Sequence, residues 1–423
     1  MLKIKYICLT VICFSLTCAE PASEITADKP LSGIRIMVDP GHGNSAAYDF
    51  FRVGQKGERE EWINLRVGKH LVKMLSDAGA IVFSTRVEDQ DVSLGGRAAL
   101  ASIHECDLFI CIHHNGSGDP NFDSPIVYFW GSAIENPASV DLAKMLVKNM
   151  QKYMTFEQQK DGATYSDFLI YSNGTSVLRN TVAHMPGIIG EAGFFTNTHG
   201  EERLMSDEYN RVEAETYLKT IVAYAKKGIP KALPVKPPKD TILAEGQTLE
   251  FKLSDGLDGS HFQESTIRVL QGEEELPFFW SEETGILHVQ PKHIDHKTIL
   301  IRVFGRNSNG NALHPRQWIF KTEAYKAWHS VDQWSKAFNQ AEQHFINLEK
   351  ACTDGNTTLI KTEIEAALHF YQLSLELQHV HPKSRLAEEQ ILKCLILKHE
   401  RLGMDTLQEI EIQKQKLEEL YPL

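Results

Sequence analysis

The sequence predicts an α/β protein whose sheet carries helices on both faces, followed by a small β-sandwich and an all-α C-terminal region. Three changes of pattern along the chain carry this reading. Over residues 32–228 short apolar runs alternate with longer amphipathic ones, the rhythm of an α/β layer structure. Over residues 240–322 apolar residues recur at every second position, with Gly, Asp and Asn between the runs. From Glu323 onward the recurrence becomes helical. A chain of 423 residues is too long for one ordinary core. Its 42% hydrophobic and 24% charged residues are those of a soluble globular protein.

In the first region the expected strands are "IRIMV" (Ile34 to Val38), "AIVFS" (Ala80 to Ser84), "LFICI" (Leu108 to Ile112), "IVYFW" (Ile126 to Trp130) and "GIIGE" (Gly187 to Glu191). Runs this continuously apolar belong to a sheet buried on both sides. Helices are expected over Glu60 to Ala78, Leu94 to Glu105, Pro137 to Tyr153 and Asp207 to Lys227. In the first of them Leu65, Leu71, Val72 and Leu75 share a face. The four prolines of "GIPKALPVKPPKD" predict a stiff linker over residues 229–239. Beyond it "TLEFKL", "TIRVL", "ILHV", "TILIRVF" and "QWIFK" read as the strands of the sandwich, which spans 240–322. In the helical region, residues 323–423, two stripes read as core: Trp334, Phe338, Ala341, Phe345 and Leu348, then Ile364, Leu368, Tyr371 and Leu375. Three or four packed helices are expected, with a face that could dock a protein partner.

Residues 1–19 differ from all of this. Lys3 and Lys5 precede an apolar run from Ile7 to about Thr17, and the small residues of "TCA" follow, the pattern of a secretory signal peptide. The chain is therefore expected to be exported, to the periplasm or cell envelope, with no transmembrane segment in its mature form. Cys18 offers the alternative of a lipid anchor, although "FSLT" before it suits a lipoprotein cleavage site poorly. Losing Lys3 and Lys5 with the segment takes the formal net charge from −12 to −14. That balance argues against nucleic acid or anionic lipid as a partner held by bulk charge. Cys106, Cys111, Cys352 and Cys394 form no CxxC pair, so neither a cysteine zinc site nor a disulfide scaffold is indicated.

Chemistry concentrates where the strands end. His42 follows the first strand in "VDPGHGN", Glu60 opens the first long helix, His113 follows "LFICI", and Glu191 ends "GIIGE". The carboxyl ends of strands in an open α/β sheet share one rim, where ligands bind. Two imidazoles and one carboxylate suit a catalytic zinc with one open position. A further acid beside that position can take a proton from water and return it to a leaving group. Gly41 and Gly43 let the backbone bring His42 in closely, while Asp39 is expected to brace the turn through backbone hydrogen bonds. The chain has no HExxH motif, which argues against the commonest zinc-protease arrangement.

The segments "VDPGHG", "EEWINLRVGKHLVKMLSDAGAIVFSTR", "DLFICIHHNGS" and "MPGIIGEAGFFTN" stand in the order and approximate spacing of the zinc-dependent N-acetylmuramoyl-L-alanine amidases of bacterial cell walls, which residues 32–228 therefore resemble. The resemblance implies one zinc ion per domain held by His42, Glu60 and His113, with Glu191 as the catalytic acid/base. Glu60 rather than Glu61 takes the family's glutamate position because it stands five residues before Leu65. Arg86 and Arg97 also match family positions and are assigned to structure. The implied reaction is hydrolysis of the amide between N-acetylmuramic acid and L-alanine in peptidoglycan. The alternatives are a peptidoglycan-binding scaffold without catalysis and an amidase of soluble muropeptides.

Two departures from the family pattern stand out. His114 replaces a small residue, so the doublet "HH" offers two imidazoles, of which strand alternation lets only one face the metal; His113 is the one favoured. Asn44 replaces a glycine. His184 is a further candidate for substrate contact. No long helical insertion lies between Asn115 and Ser139, so the site is expected to be open without an activator. The β region loosely resembles immunoglobulin-like or cadherin-like modules in "PFFWSEETGILHV" and "ILIRVFG".

Overall fold

The computed structural model describes residues 29–46, 49–156, 161–238, 241–292, 297–322, 331–377 and 383–420. The signal segment expected over residues 1–19, Cys18 included, lies outside the described residues.

The first unit is built on six strands: β1 (Arg35–Pro40), β2 (Ile81–Ser84), β3 (Leu108–Asn115), β4 (Ile126–Phe129), β5 (Ala163–Ser166) and β6 (Gly187–Phe194). They form one sheet in the order β2-β1-β3-β6-β4-β5. β1, β2, β3 and β6 run parallel, whereas β4 lies antiparallel to β6 and parallel to β5, so the sheet is mixed. Six helices join the strands: α1 (Glu60–Asp77), α2 (Leu94–Ile103), α3 (Pro137–Tyr153), α4 (Ser176–Thr181), α5 (Thr198–Leu204) and α6 (Asp207–Lys226).

Strand alternation divides the apolar residues between two cores. Ile36, Val38, Ile110 and Ile112 meet Ile63, Val67 and Leu71 of α1, Leu146 of α3 and Tyr217 of α6. The intervening Met37, Phe109 and Cys111 meet Ala101 of α2 and Val177 and Leu178 of α4. Each fully buried aliphatic side chain contributes on the order of 1.5–3 kcal/mol, which is why both faces are committed. α1 starts without a side-chain cap but carries Glu60 and Glu61 in its first turn, where carboxylates favour the positive end of the helix.

The second unit holds two four-stranded sheets. One contains β9 (Arg268–Gln271), β10 (Glu274–Leu276), β13 (Thr298–Phe304) and β14 (Trp318–Lys321); the other contains β7 (Lys231–Lys236), β8 (Leu249–Ser254), β11 (Phe278–Ser281) and β12 (Ile286–Val289). Phe251 and Leu287 of one sheet and Val269 and Ile301 of the other belong to a single buried cluster. The linker expected over residues 229–239 is not one: β7 occupies Lys231–Lys236 and hydrogen-bonds along β8. β7 is an edge strand, and an edge tolerates Pro234 because its missing N–H is not required by a second neighbour.

The last region comprises α7 (Val331–Asp354), α8 (Thr357–Leu377), α9 (Ser384–Leu402) and α10 (Leu407–Leu420). Both stripes, from Trp334 to Leu348 and from Ile364 to Leu375, lie in its core. Among the described residues no helix is long and apolar enough to cross a membrane.

The β unit is fastened to the α/β unit by buried polar contacts. Asn311 Nδ2 donates to the carbonyls of Tyr224 and Gly228 at 2.9 and 2.7 Å, and Asn307 Nδ2 to that of Lys227 at 2.7 Å. These carbonyls end α6, where helical partners run out. Arg306 pairs with Asp141 of α3 at 2.7 Å.

Candidate active site

His42, Glu60 and His113 come from the loop after β1, the start of α1 and the end of β3, and meet at one rim of the sheet. Glu60 offers its two oxygens to two rings: Oε2 lies 3.1 Å from His42 Nε2, and Oε1 lies 2.8 Å from His113 Nδ1. The rings stand edge to face with centroids 4.6 Å apart. One ligand atom from each residue falls within 4.8 Å of the others, a spacing that one divalent ion can bridge. Two imidazole nitrogens and a carboxylate oxygen are a donor set that fits zinc. Burial pulls His42 below the ordinary imidazole value despite Glu60, so it tends to the neutral form that a metal ligand requires. Burial alone would raise the Glu60 carboxyl, but the two rings hold it well below the usual carboxylate range.

The histidine doublet separates as strand alternation requires. His113 turns toward Glu60 and His42. His114 turns to the other face, where its Nδ1 lies 2.8 Å from Asn64 Oδ1 and its Nε2 lies 3.0 Å from Glu213 Oε2, all fully buried. Glu61 likewise points away from the rings and pairs with Arg59 at 2.6 Å. Sequence reasoning missed Asn64 and Glu213. Asn64 stands one helical turn after Glu60, a spacing that could have drawn attention to it; Glu213 carried no local signal.

Glu191 is the register partner of His113 in the parallel β3–β6 pair, so the two side chains leave the same face of the sheet. Its Oε2 is shielded from solvent with no hydrogen-bond partner among the described residues. Burial pushes its carboxyl up to about 7; His113 pulls the other way and Glu60 adds to the rise. A carboxyl so placed can both accept and return a proton near neutrality.

The loop carrying His42 is strained and heavily braced. His42 adopts a φ of 58° and Asn44 one of 50°, in the left-handed region that costs non-glycine residues on the order of 1–3 kcal/mol. Asn tolerates that region well, which accounts for Asn44 in place of glycine. Arg97 donates to the carbonyls of Pro40 and His42 at 2.9 and 2.6 Å, and Arg86 to those of Pro40 and Gly41 at 2.8 and 2.9 Å. Asp39 does not brace the turn through backbone amides, as expected, but through side chains: Arg97 at 2.8 Å, Thr85 at 2.6 Å and Cys111 at 2.9 Å. Burial opposes its charge, yet these partners outweigh burial and keep its pKa low. Gly41 lies against His113; a Cβ there would come 2.1 Å from His113 Nε2.

His184 lies elsewhere. It precedes β6 at the opposite rim, exposed and facing the β unit, and does not join the cluster.

An α/β domain with a mixed sheet and a His-Glu-His cluster at one rim defines the class, and comparison with known proteins gives the family. A profile described as N-acetylmuramoyl-L-alanine amidase matches residues 36–223. The chain is 31% identical over 198 residues to the uncharacterized protein YqiI of Bacillus subtilis, covering 47% of this chain and 88% of that one. It is 28% identical to the probable cell wall amidase LytH of Staphylococcus epidermidis, covering 46% of this chain and 59% of LytH. The solved structure of the amidase AmiC2 of Nostoc punctiforme is similar over 46% of this chain and 99% of its own, at 27% identity and a TM-score of 0.40. The chain belongs to the N-acetylmuramoyl-L-alanine amidase family and is an enzyme of that class.

Proposed function

We propose that this protein is a cell-envelope hydrolase that cleaves the amide between N-acetylmuramic acid and L-alanine in peptidoglycan, using one zinc ion held by His42, Glu60 and His113. The observation that carries the proposal is the convergence of three ligand atoms within 4.8 Å beside a buried carboxyl poised near neutrality. When bound, zinc supplies Lewis acidity toward water and the amide carbonyl. Glu191 Oε2 takes the proton that water gives up and delivers it to the nitrogen of the departing L-alanine. Glu60 fixes both rings, and the Arg86 and Arg97 bonds hold the His42 loop in place before substrate arrives. The expected export and the printed names of relatives, such as the probable cell wall amidase LytH, support a site of action in the wall.

The test is release of new N-terminal alanine from purified sacculi by wild type and by Glu191→Ala, with bound zinc measured in both. The expected result is about one zinc per wild-type chain, zinc largely retained by the variant, and activity reduced about 100-fold or more, as loss of a general acid/base entails. Undiminished activity in the variant would remove Glu191 from the reaction. A folded wild type that binds no zinc and releases no alanine would overturn the whole reading.

A further inference from the structure

A line of buried polar side chains runs behind the His-Glu-His cluster, from α6 through β3 to α1. Glu213, His114 and Asn64 are all buried. Glu213 Oε2 lies 3.0 Å from His114 Nε2, and His114 Nδ1 lies 2.8 Å from Asn64 Oδ1. Asn64 Nδ2 then donates twice, to the Gly41 carbonyl at 3.1 Å and to Glu60 Oε1 at 3.4 Å. The same Glu60 oxygen accepts the backbone N–H of His114 at 3.3 Å.

The direction of these bonds follows from what each atom can do. A carbonyl and an ionised carboxylate only accept, so the amide of Asn64 must turn its Nδ2 toward Gly41 and Glu60; the reverse orientation would press Oδ1 against two acceptors. Oδ1 in turn only accepts, so His114 Nδ1 carries a proton. Glu213 holds the far nitrogen of the same ring. Stability does not account for this pair. Glu213 Oε1 is buried with no partner among the described residues, and replacing a buried pair of this kind with apolar residues of similar volume is often neutral or stabilising. What the pair provides is direction, one N–H aimed at Asn64.

We infer that Asn64, aimed by the buried His114–Glu213 pair, is a positioning residue that holds Glu60 and the His42 loop in place for the metal; this rests on the zinc reading above. The Gly41 carbonyl leads directly into His42, so one amide ties two of the three ligands together. Metal ligands keep their orientation through donors outside the cluster, and the loss of such a donor typically weakens metal binding about 10- to 100-fold.

The test reads metal binding rather than turnover. In the full chain, zinc affinity is measured by competition with a chromophoric chelator, and the geometry of the site by the visible absorption of the cobalt(II) form. Two double variants are compared: His114→Leu with Glu213→Leu, which removes the N–H, and His114→Asn with Glu213→Leu, in which the Asn amide sets an N–H in the place of Nδ1. The first is expected to melt no lower than wild type, to bind zinc about 10- to 100-fold more weakly and to shift the cobalt bands. The second should recover most of the lost affinity. Asn64→Leu should behave as the first does. Wild-type zinc affinity and cobalt bands in folded Asn64→Leu or in the folded leucine pair would overturn the inference and leave the amidase reading standing. Equal weakening in both double variants would also overturn it, because packing rather than the directed N–H would then be at work. A folded wild type that binds no zinc would remove the metal reading and this inference together.

Discussion

The His-Glu-His cluster depends on a single absent methyl group. Gly41 has no special φ; its role is space, because a Cβ would sit 2.1 Å from Nε2 of His113. The ring cannot retreat without leaving Glu60, to which its Nδ1 is held at 2.8 Å. Gly41→Ala is therefore expected to keep the fold, read by circular dichroism, but to lower zinc affinity about 10- to 100-fold, the usual cost of disturbing a ligand's orientation. Zinc affinity equal to wild type would mean that His113 is not held as described. The strained φ of His42 belongs to the same economy of placement: it persists because Arg97 fixes its carbonyl and Arg86 the one before it.

At the scale of elements, α1 sets the position of Glu60 by lying close to β1. Gly68, two turns along the helix, makes that approach possible, since a Cβ there would stand 2.5 Å from Pro40 Cγ. In a free helix Gly→Ala stabilises by about 1 kcal/mol, whereas forcing a methyl into a packed contact costs about 1–3 kcal/mol. Gly68→Ala should therefore be destabilising by up to about 2 kcal/mol in urea titrations, and a stabilised variant would refute the close packing. Much of this level was legible in advance. Pro137–Tyr153 has the predicted bounds, and the apolar cores of β1, β3 and β6 announced themselves. β5 did not, because its four residues, "ATYS", are half polar and none is fully buried. β7 did not, because Pro234 and the prolines flanking the strand read as linker, and only an edge position explains Pro234. The antiparallel direction of β4 was also hidden, since an apolar run carries no arrow. At the site, the spacing placed His113, Glu60 and His42 on a common rim, but the buried pairing of His114 with Glu213, ninety-nine positions away, had no local trace.

In the whole molecule, the α/β and β units are joined by contacts that would be costly to expose. Asn311 satisfies two carbonyls at the end of α6 and is itself buried, and Arg306 pairs with Asp141. The helical region keeps a core drawn from α7 to α10 alone. Calorimetry is thus expected to resolve one transition for the two joined units and another for the helices. Asn311→Ala should lower the first by about 1–3 kcal/mol, the cost of stranding buried acceptors, and leave the second in place. A shift in both would show that the regions melt together.

The reversed strand β4 has a consequence for how such a scaffold can be controlled. β3 ends and β4 begins at the rim that bears His113, with β6 between them, so residues 116–125 cross the end of β6 at that rim without a helix. Both anchor points of this strap are fixed by strand pairing. Extra chain spliced there would leave the paired strands beneath unchanged, so the rim that carries His113 and Glu191 can be altered through the length of one crossing alone.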